Sequence, residues 1–258
     1  MVSPNDTTPL SLWQRRLSRR QMISRGSELV LMSTLPSGYL LAQQDNSRVQ
    51  INFQSVSPSS ADKVVVPNGY RADIVLSWGD PLFPEAVALD PQSVAQGGLM
   101  LPSAAQDQVG QFGYNCDGMG LFELGEDEVV VCVNHEYPNP ELLFPGYRTS
   151  QRAGMAADFI RRNPSCVDYM KATVGISIAH FQTGSAWNLK IDSPLNRRVT
   201  AETPMQLSGP ASDHGLFKNS LDNSGINVRG TLWNCAAGRT PWGTYLTAEE
   251  NVDEFFGN

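Results

Sequence analysis

One thiol and two adjacent carboxylates near the C-terminus stand where a hairpin would bring them together. The stretch is Gly230-Thr231-Leu232-Trp233-Asn234-Cys235-Ala236-Ala237-Gly238-Arg239-Thr240-Pro241-Trp242-Gly243-Thr244-Tyr245-Leu246-Thr247-Ala248-Glu249-Glu250-Asn251. Gly230 to Cys235 reads as an extended run, Ala236 to Pro241 as a turn, and Thr244 to Thr247 as the returning strand. Neighbouring strand residues point to opposite faces, so at most one of Glu249 and Glu250 can share a face with Cys235. A thiolate and a carboxylate meeting across a hairpin would make half of a metal site. The same residue types also suit a buried free cysteine beside two solvated acids, and the pattern alone does not choose.

The elements that must position this hairpin are short. Val64-Val65-Val66 and Ala72 to Trp78 read as strands, and Pro91 to Gly110 as a loop rich in Gln, Gly and Ala. Leu121 to Leu124 and Val129 to Asn134 flank a Gly-Glu-Asp turn and predict a hairpin. Helical patterning is confined to residues 151 to 171, around Gly154 to Arg162 and Cys166 to Lys171. Val174 to Phe181, Ala186 to Ile191 and Val199 to Leu207 continue the strand series. With 17 Pro and 22 Gly, short strands at this spacing predict a mainly β body, a propeller or a sandwich. No fixed-period repeat decides between those two.

Composition narrows the function. A length of 258 residues with 41% hydrophobic residues builds a substantial core. A net charge of -7 argues against a nucleic-acid surface, but does not forbid a phosphate substrate, because bound metal ions invert the local field. Cys116, Cys132, Cys166 and Cys235 contain no C-x-x-C pair, which excludes a zinc ribbon or a redox motif. Cys116, Cys132 and Cys166 are read as buried or loosely paired thiols.

The N-terminus carries a different signal. Arg15, Arg16, Arg19, Arg20 and Arg25 precede a moderately apolar run from Leu29 to Ala42, and Ser18-Arg19-Arg20-Gln21-Met22-Ile23 resembles the twin-arginine consensus. Residues 1–42 are therefore expected to be an export signal, with Arg19 and Arg20 read by the twin-arginine translocon. The destination would be the periplasm or the extracellular space. At 14 residues the apolar run is too short for a stable membrane span. Residues 43–62 are polar and Ser-rich and read as a linker, leaving 63–258 as the folded domain.

The hairpin segment resembles the signature of the PhoX-type alkaline phosphatases, a family of secreted bacterial enzymes. Four further segments resemble that family in the same order: Trp78-Gly79-Asp80-Pro81-Leu82, Gln111-Phe112-Gly113-Tyr114-Asn115, Val133-Asn134-His135-Glu136-Tyr137, and Thr203-Pro204-Met205 leading to Gly209-Pro210-Ala211. The resemblance implies a β-propeller with a few short helical insertions, of which this chain would form the N-terminal part. It implies hydrolysis of phosphomonoesters for phosphate acquisition, at a cluster of Fe(3+) and Ca(2+). Cys235 matches the family's iron-binding cysteine and Glu250 a metal-binding glutamate. Glu249 is a further candidate to ligate metal or support a ligand, although by strand alternation it should face away.

Asn134, His135 and Glu136 close a strand, where an imidazole beside a carboxylate suits metal ligation, support of a metal ligand, or a strand-end polar network. Arg239 is a candidate phosphate contact. The Asp80 and Asn115 segments are expected to shape loops around the site, and His180 and His214 to be ordinary polar residues. No motif points to a Ser nucleophile or a Ser-His-Asp set. Trp233 stands where the family commonly has Asn and should make the wall beside Cys235 bulkier.

Members of the family continue well beyond the equivalent of Asn258. The chain by itself is accordingly expected to be poorly stable and catalytically weak or inactive, a C-terminal fragment supplying the remaining ligands. The rival reading is a non-catalytic, calcium-stabilised secreted β module that keeps the scaffold.

Overall fold

The computed structural model describes residues 54–251. The sequence-predicted twin-arginine segment, including Arg19 and Arg20, and much of the predicted linker lie outside them. The chain divides into two units, one containing residues 54–74 and Pro241–Gly243, the other residues 75–240 and 244–251. In the first, residues 64–66 and 72–74 form no strand. Val64 and Ile74 are 78% and 87% exposed, so β-branched residues here have no packing surface to favour a ladder. The local order is a turn closed by Tyr70 N–H on the Pro67 carbonyl and an Arg71–Asp73 ion pair.

The second unit is built on an antiparallel sheet. β1 (Cys116–Glu123) pairs with β2 (Glu128–His135), and β2 pairs with β3 (Gly175–Gln182) along its whole length. One end of β3 receives β4 (Asn188–Leu189) and the other receives β5 (Arg197–Val199). Alternation sorts β2 and β3 cleanly. Val129, Val131, Val133, Ala179 and Phe181 join Leu82 and Phe112 on one face, while Val130, Cys132, Ile176 and Ile178 pack on the other. Fully burying side chains such as Leu82 and Phe181 stabilises by about 1.5–3 kcal/mol each. Two further hairpins follow, β6 (Pro204–Gln206) with β7 (Asn227–Arg229), and β8 (Asn234–Arg239) with β9 (Tyr245–Glu249). The described residues are thus mainly β, with short helices and no closed barrel.

Residues 91–110, expected as a loop, instead hold α1 (Pro91–Ala95) and α2 (Pro102–Gln108). Each begins with proline in its first turn, and the Asp90 carboxylate caps α1 by accepting from Gln92 N–H. With α3 (Pro140–Leu143), α4 (Tyr147–Arg152), α5 (Ala156–Arg162) and α6 (Ser165–Thr173) they enclose a second core of Leu99, Leu143, Phe144, Phe159, Cys166 and Tyr169. The last hairpin also differs from expectation. Ala236 to Arg239 belong to β8, and the reversal runs from Thr240 to Thr244, whose backbone and side-chain hydrogen bonds close it.

One residue ties these layers together. The Arg198 guanidinium donates to the carbonyls of Gln111, Ala172, Val174, Ile176 and Val199, joining the loop before β1, the end of α6, β3 and β5. Burial lowers its pKa to about 9, so the group stays charged at neutral pH.

Candidate metal centre

Three strands converge on one point, and two of them are bulged there. The β1–β2 register shifts between Cys116 and Met119, and the β8–β9 register between Asn234 and Ala237. Asp117 lies in the first irregularity and Cys235 in the second. A bulge turns a side chain out of the regular alternation, and here two bulges turn toward each other. Glu136 stands one residue past the end of β2, its N–H held by the Asn115 carbonyl at 3.0 Å. The Cys235 sulfur and one oxygen each of Asp117 and Glu136 lie within 4.8 Å of one another.

Glu250 completes the group. Its N–H donates to the Trp233 carbonyl at 2.9 Å, which extends the β8–β9 pairing by one residue. Hydrogen bonds to the carboxylates of Glu250 and Asp117 hold the Cys235 thiol up to about 12. Burial, and then the charge of Asp117, raises the Glu136 pKa as well. Like-charged groups crowded together keep their protons. Asp117, Glu136 and Cys235 thus share one small volume, with Glu250 at its edge beside the thiol.

Glu249 is elsewhere. One oxygen accepts from Thr231 Oγ at 2.6 Å and from Leu232 N–H at 3.1 Å, so this carboxylate fastens the segment that leads into β8. His135 is fully buried on the opposite face of β2 from Asn134, hydrogen-bonded to Ser177 Oγ at 2.7 Å and edge-on to Phe112. Burial and then the Arg198 charge push its pKa well below the ordinary imidazole value, so the ring is neutral. It is a core residue and does not reach the cluster. Arg239 donates to the Leu121 carbonyl at 2.6 Å and covers the Phe122 ring, a commitment to β1 in place of the expected phosphate contact. His214 accepts from Leu216 N–H, and His180 contacts Ser193 and Glu128. Asp80 accepts from Ser77 N–H, which closes its loop.

Asp117 escaped the sequence reading, although it follows the Gln111–Asn115 segment and precedes Gly118. Gly118 is the signal that could have found it. A Cβ at this position would lie 2.4 Å from the Cys235 carbonyl oxygen and 2.8 Å from the Ala237 Cβ. Only a residue without a side chain lets β1 approach β8 so closely. Replacing Gly118 with Ala should therefore cost about 1–3 kcal/mol and separate Asp117 from Cys235. A urea denaturation series checks the first effect, and weaker cation binding checks the second.

Aromatic side chains border the cluster. Trp233 meets Tyr137 edge-to-face at 5.0 Å between ring centroids, and the Tyr137 hydroxyl accepts from Asn251 Nδ2 at 3.0 Å. Burial, and then the neighbouring Glu136 carboxylate, raises the Tyr137 pKa, so the tyrosine stands beside a carboxylate of the cluster and stacks against the wall residue.

Residues 51–258 match the family described as alkaline phosphatase PhoX. Among solved structures the chain is similar to PhoX of Pseudomonas fluorescens in complex with vanadate, a transition state analogue, at 36% identity and a TM-score of 0.66. That match covers 80% of this chain and 33% of the other, so the chain spans about a third of the length of its solved relative. No curated protein matches.

Proposed function

This chain belongs to the PhoX alkaline phosphatase family, and on that premise we propose that it works as an exported, metal-dependent alkaline phosphatase acting on phosphomonoesters. One observation carries the reading: Cys235, Asp117 and Glu136 converge from three strands, with Glu250 bonded to the thiol. The donor set fits the cations expected from the family. A sulfur among carboxylates suits Fe(3+), whereas Ca(2+) takes oxygen ligands alone and would draw on the carboxylates. Cys235, Asp117, Glu136 and Glu250 would hold iron, with calcium beside them. When bound, such cations neutralise phosphoryl oxygens and make an attacking oxygen available at alkaline pH.

The chain's own residues prepare that site. Tyr137 lies beside the Glu136 carboxylate, and its ring packs edge-to-face with Trp233. The proton held on Cys235 leaves when a cation arrives. The antiparallel sheets support reading the chain as part of a β-propeller. Export through the twin-arginine translocon to the periplasm or the extracellular space, with Arg19 and Arg20 as its signal, completes the proposal. No helix among the described residues is long and apolar enough to cross a membrane.

The test uses the purified 258-residue chain loaded with ferric iron and calcium. Ferric iron should bind stoichiometrically, and vanadate should bind in a manner abolished by chelation. A chain that takes up calcium but no iron, or a fully metal-loaded chain that binds no vanadate, contradicts the reading.

A further inference from the structure

Asn134 was a candidate ligand by its place beside His135 and Glu136, yet every hydrogen-bonding position of its amide is occupied within the protein. The residue is fully buried. Its Nδ2 donates to the carbonyls of Cys235 at 3.0 Å and Ala236 at 3.2 Å. Its Oδ1 accepts from the Tyr245 hydroxyl at 2.9 Å and from Thr247 Oγ at 3.0 Å. Thr247 Oγ in turn accepts from Asn234 Nδ2 at 3.0 Å, and the Tyr245 hydroxyl also reaches the Gly118 carbonyl at 3.2 Å. An amide offers two donors and acceptor room for two, so nothing is left over for a cation.

The carbonyls it grips are those of the irregular stretch of β8, where the β8–β9 ladder skips from Asn234 to Ala237. Backbone groups in a bulge lack ladder partners, and a buried carbonyl without a partner is costly. The Asn134 side chain supplies the missing donors. In doing so it fixes the rotation of the two successive peptide planes that follow the Cys235 side chain.

We propose that Asn134 is a positioning residue that holds the β8 bulge so that the Cys235 sulfur faces Asp117 and Glu136. Asn134→Asp is the informative variant. It keeps the acceptor for Tyr245 and Thr247 and removes donors to the two carbonyls. As an added carboxylate near a cation site it would, on charge alone, strengthen cation binding. Release of the bulge predicts the opposite.

The proposal rests on the metal reading only for that second effect, so the decisive readout needs no metal. Iodoacetamide labelling is followed in the metal-free chain carrying Cys116→Ser, which removes the exposed thiol. Cys132 and Cys166 are buried and serve as internal reporters of global opening. In Asn134→Asp the labelling of Cys235 should accelerate about tenfold, as expected for two lost hydrogen bonds, while Cys132 and Cys166 stay protected. Tyr245→Phe, which removes one donor to Asn134, should give a smaller acceleration of the same kind. Unchanged Cys235 labelling overturns the proposal. So does a parallel rise at all three cysteines, which would mean Asn134 merely stabilises the fold. Titration with ferric citrate then separates the two readings. An Asn134→Asp chain that binds iron as tightly as the parent contradicts the positioning role. A parent chain that binds none contradicts the metal reading and leaves the labelling result standing.

Discussion

Replacing Cys235 with alanine is expected to weaken iron binding by the chain sharply while leaving its folding transition nearly unchanged. Cys235 is half-buried, and losing its sulfur removes little packing, about 1 kcal/mol. Without the sulfur, the cluster offers the oxygens of Asp117, Glu136 and Glu250, which suit calcium better than iron. The thiol is held up to about 12 against an ordinary value of 9.0, first by Glu250 and then by Asp117. Iron must therefore displace a proton, and affinity should rise with pH, about tenfold per unit from this group alone. In Cys235→Ala that component of the slope should vanish.

The metal-free protein shows the converse. Its unfolded thiol ionises near the ordinary value and its folded thiol only near 12, so the folded state binds more protons between them. Stability contributed by this group is present at lower pH and is lost as pH rises through that window. Metal analysis across pH and urea titrations of both chains measure these slopes.

Arg198→Met should be the most damaging single substitution for the fold, at about 4 kcal/mol. Methionine fills much of the same channel but offers no donor to the carbonyls of Gln111, Ala172, Val174, Ile176 and Val199. Those groups come from four parts of the chain, so no local rearrangement satisfies them together. Arg198→Lys keeps the charge but presents three donors without the planar fork, and should fall between the parent and methionine. A loss in Arg198→Met below about 1 kcal/mol would show that the carbonyls find other partners. The measurement is the urea midpoint at constant slope, because a changed slope would signal a different folded state.

What could be read from the sequence follows where local chemistry and tertiary packing agree. The β1–β2 hairpin and β3 were legible because a valine run follows a turn in β2 and isoleucine recurs at every second residue in β3, and burial on both faces rewards those patterns. The helices around α5 and α6 were legible from their period. Residues 91–110 misled because Gln, Ala and Gly are weak markers in either direction. The decisive signals were Asp90 and two prolines in first turns, easily taken for loop punctuation. Val64 to Val66 misled in the opposite sense, since strand-forming residues need a surface to pack on.

At the cluster, alternation alone set Glu249 and Glu250 on opposite faces but left Glu249 a candidate ligand, because its bonds to Thr231 and Leu232 depend on how the chain enters β8. Asp117 was not readable. Its orientation depends on a bulge in β1, and a bulge is fixed by what packs against the strand, in this case β8 approaching over Gly118. Asn134 likewise sat in the right stretch, but its role depends on carbonyls 101 and 102 residues away.

The central claim is that one cysteine sulfur and the carboxylates around it hold the same iron. X-ray absorption at the iron edge, recorded on the ferric-loaded chain and on Cys235→Ala, addresses it directly. A single sulfur neighbour of iron in the parent, absent in the variant, is the predicted result. An iron shell of oxygen and nitrogen alone in the parent, or a sulfur that persists in Cys235→Ala, would contradict it.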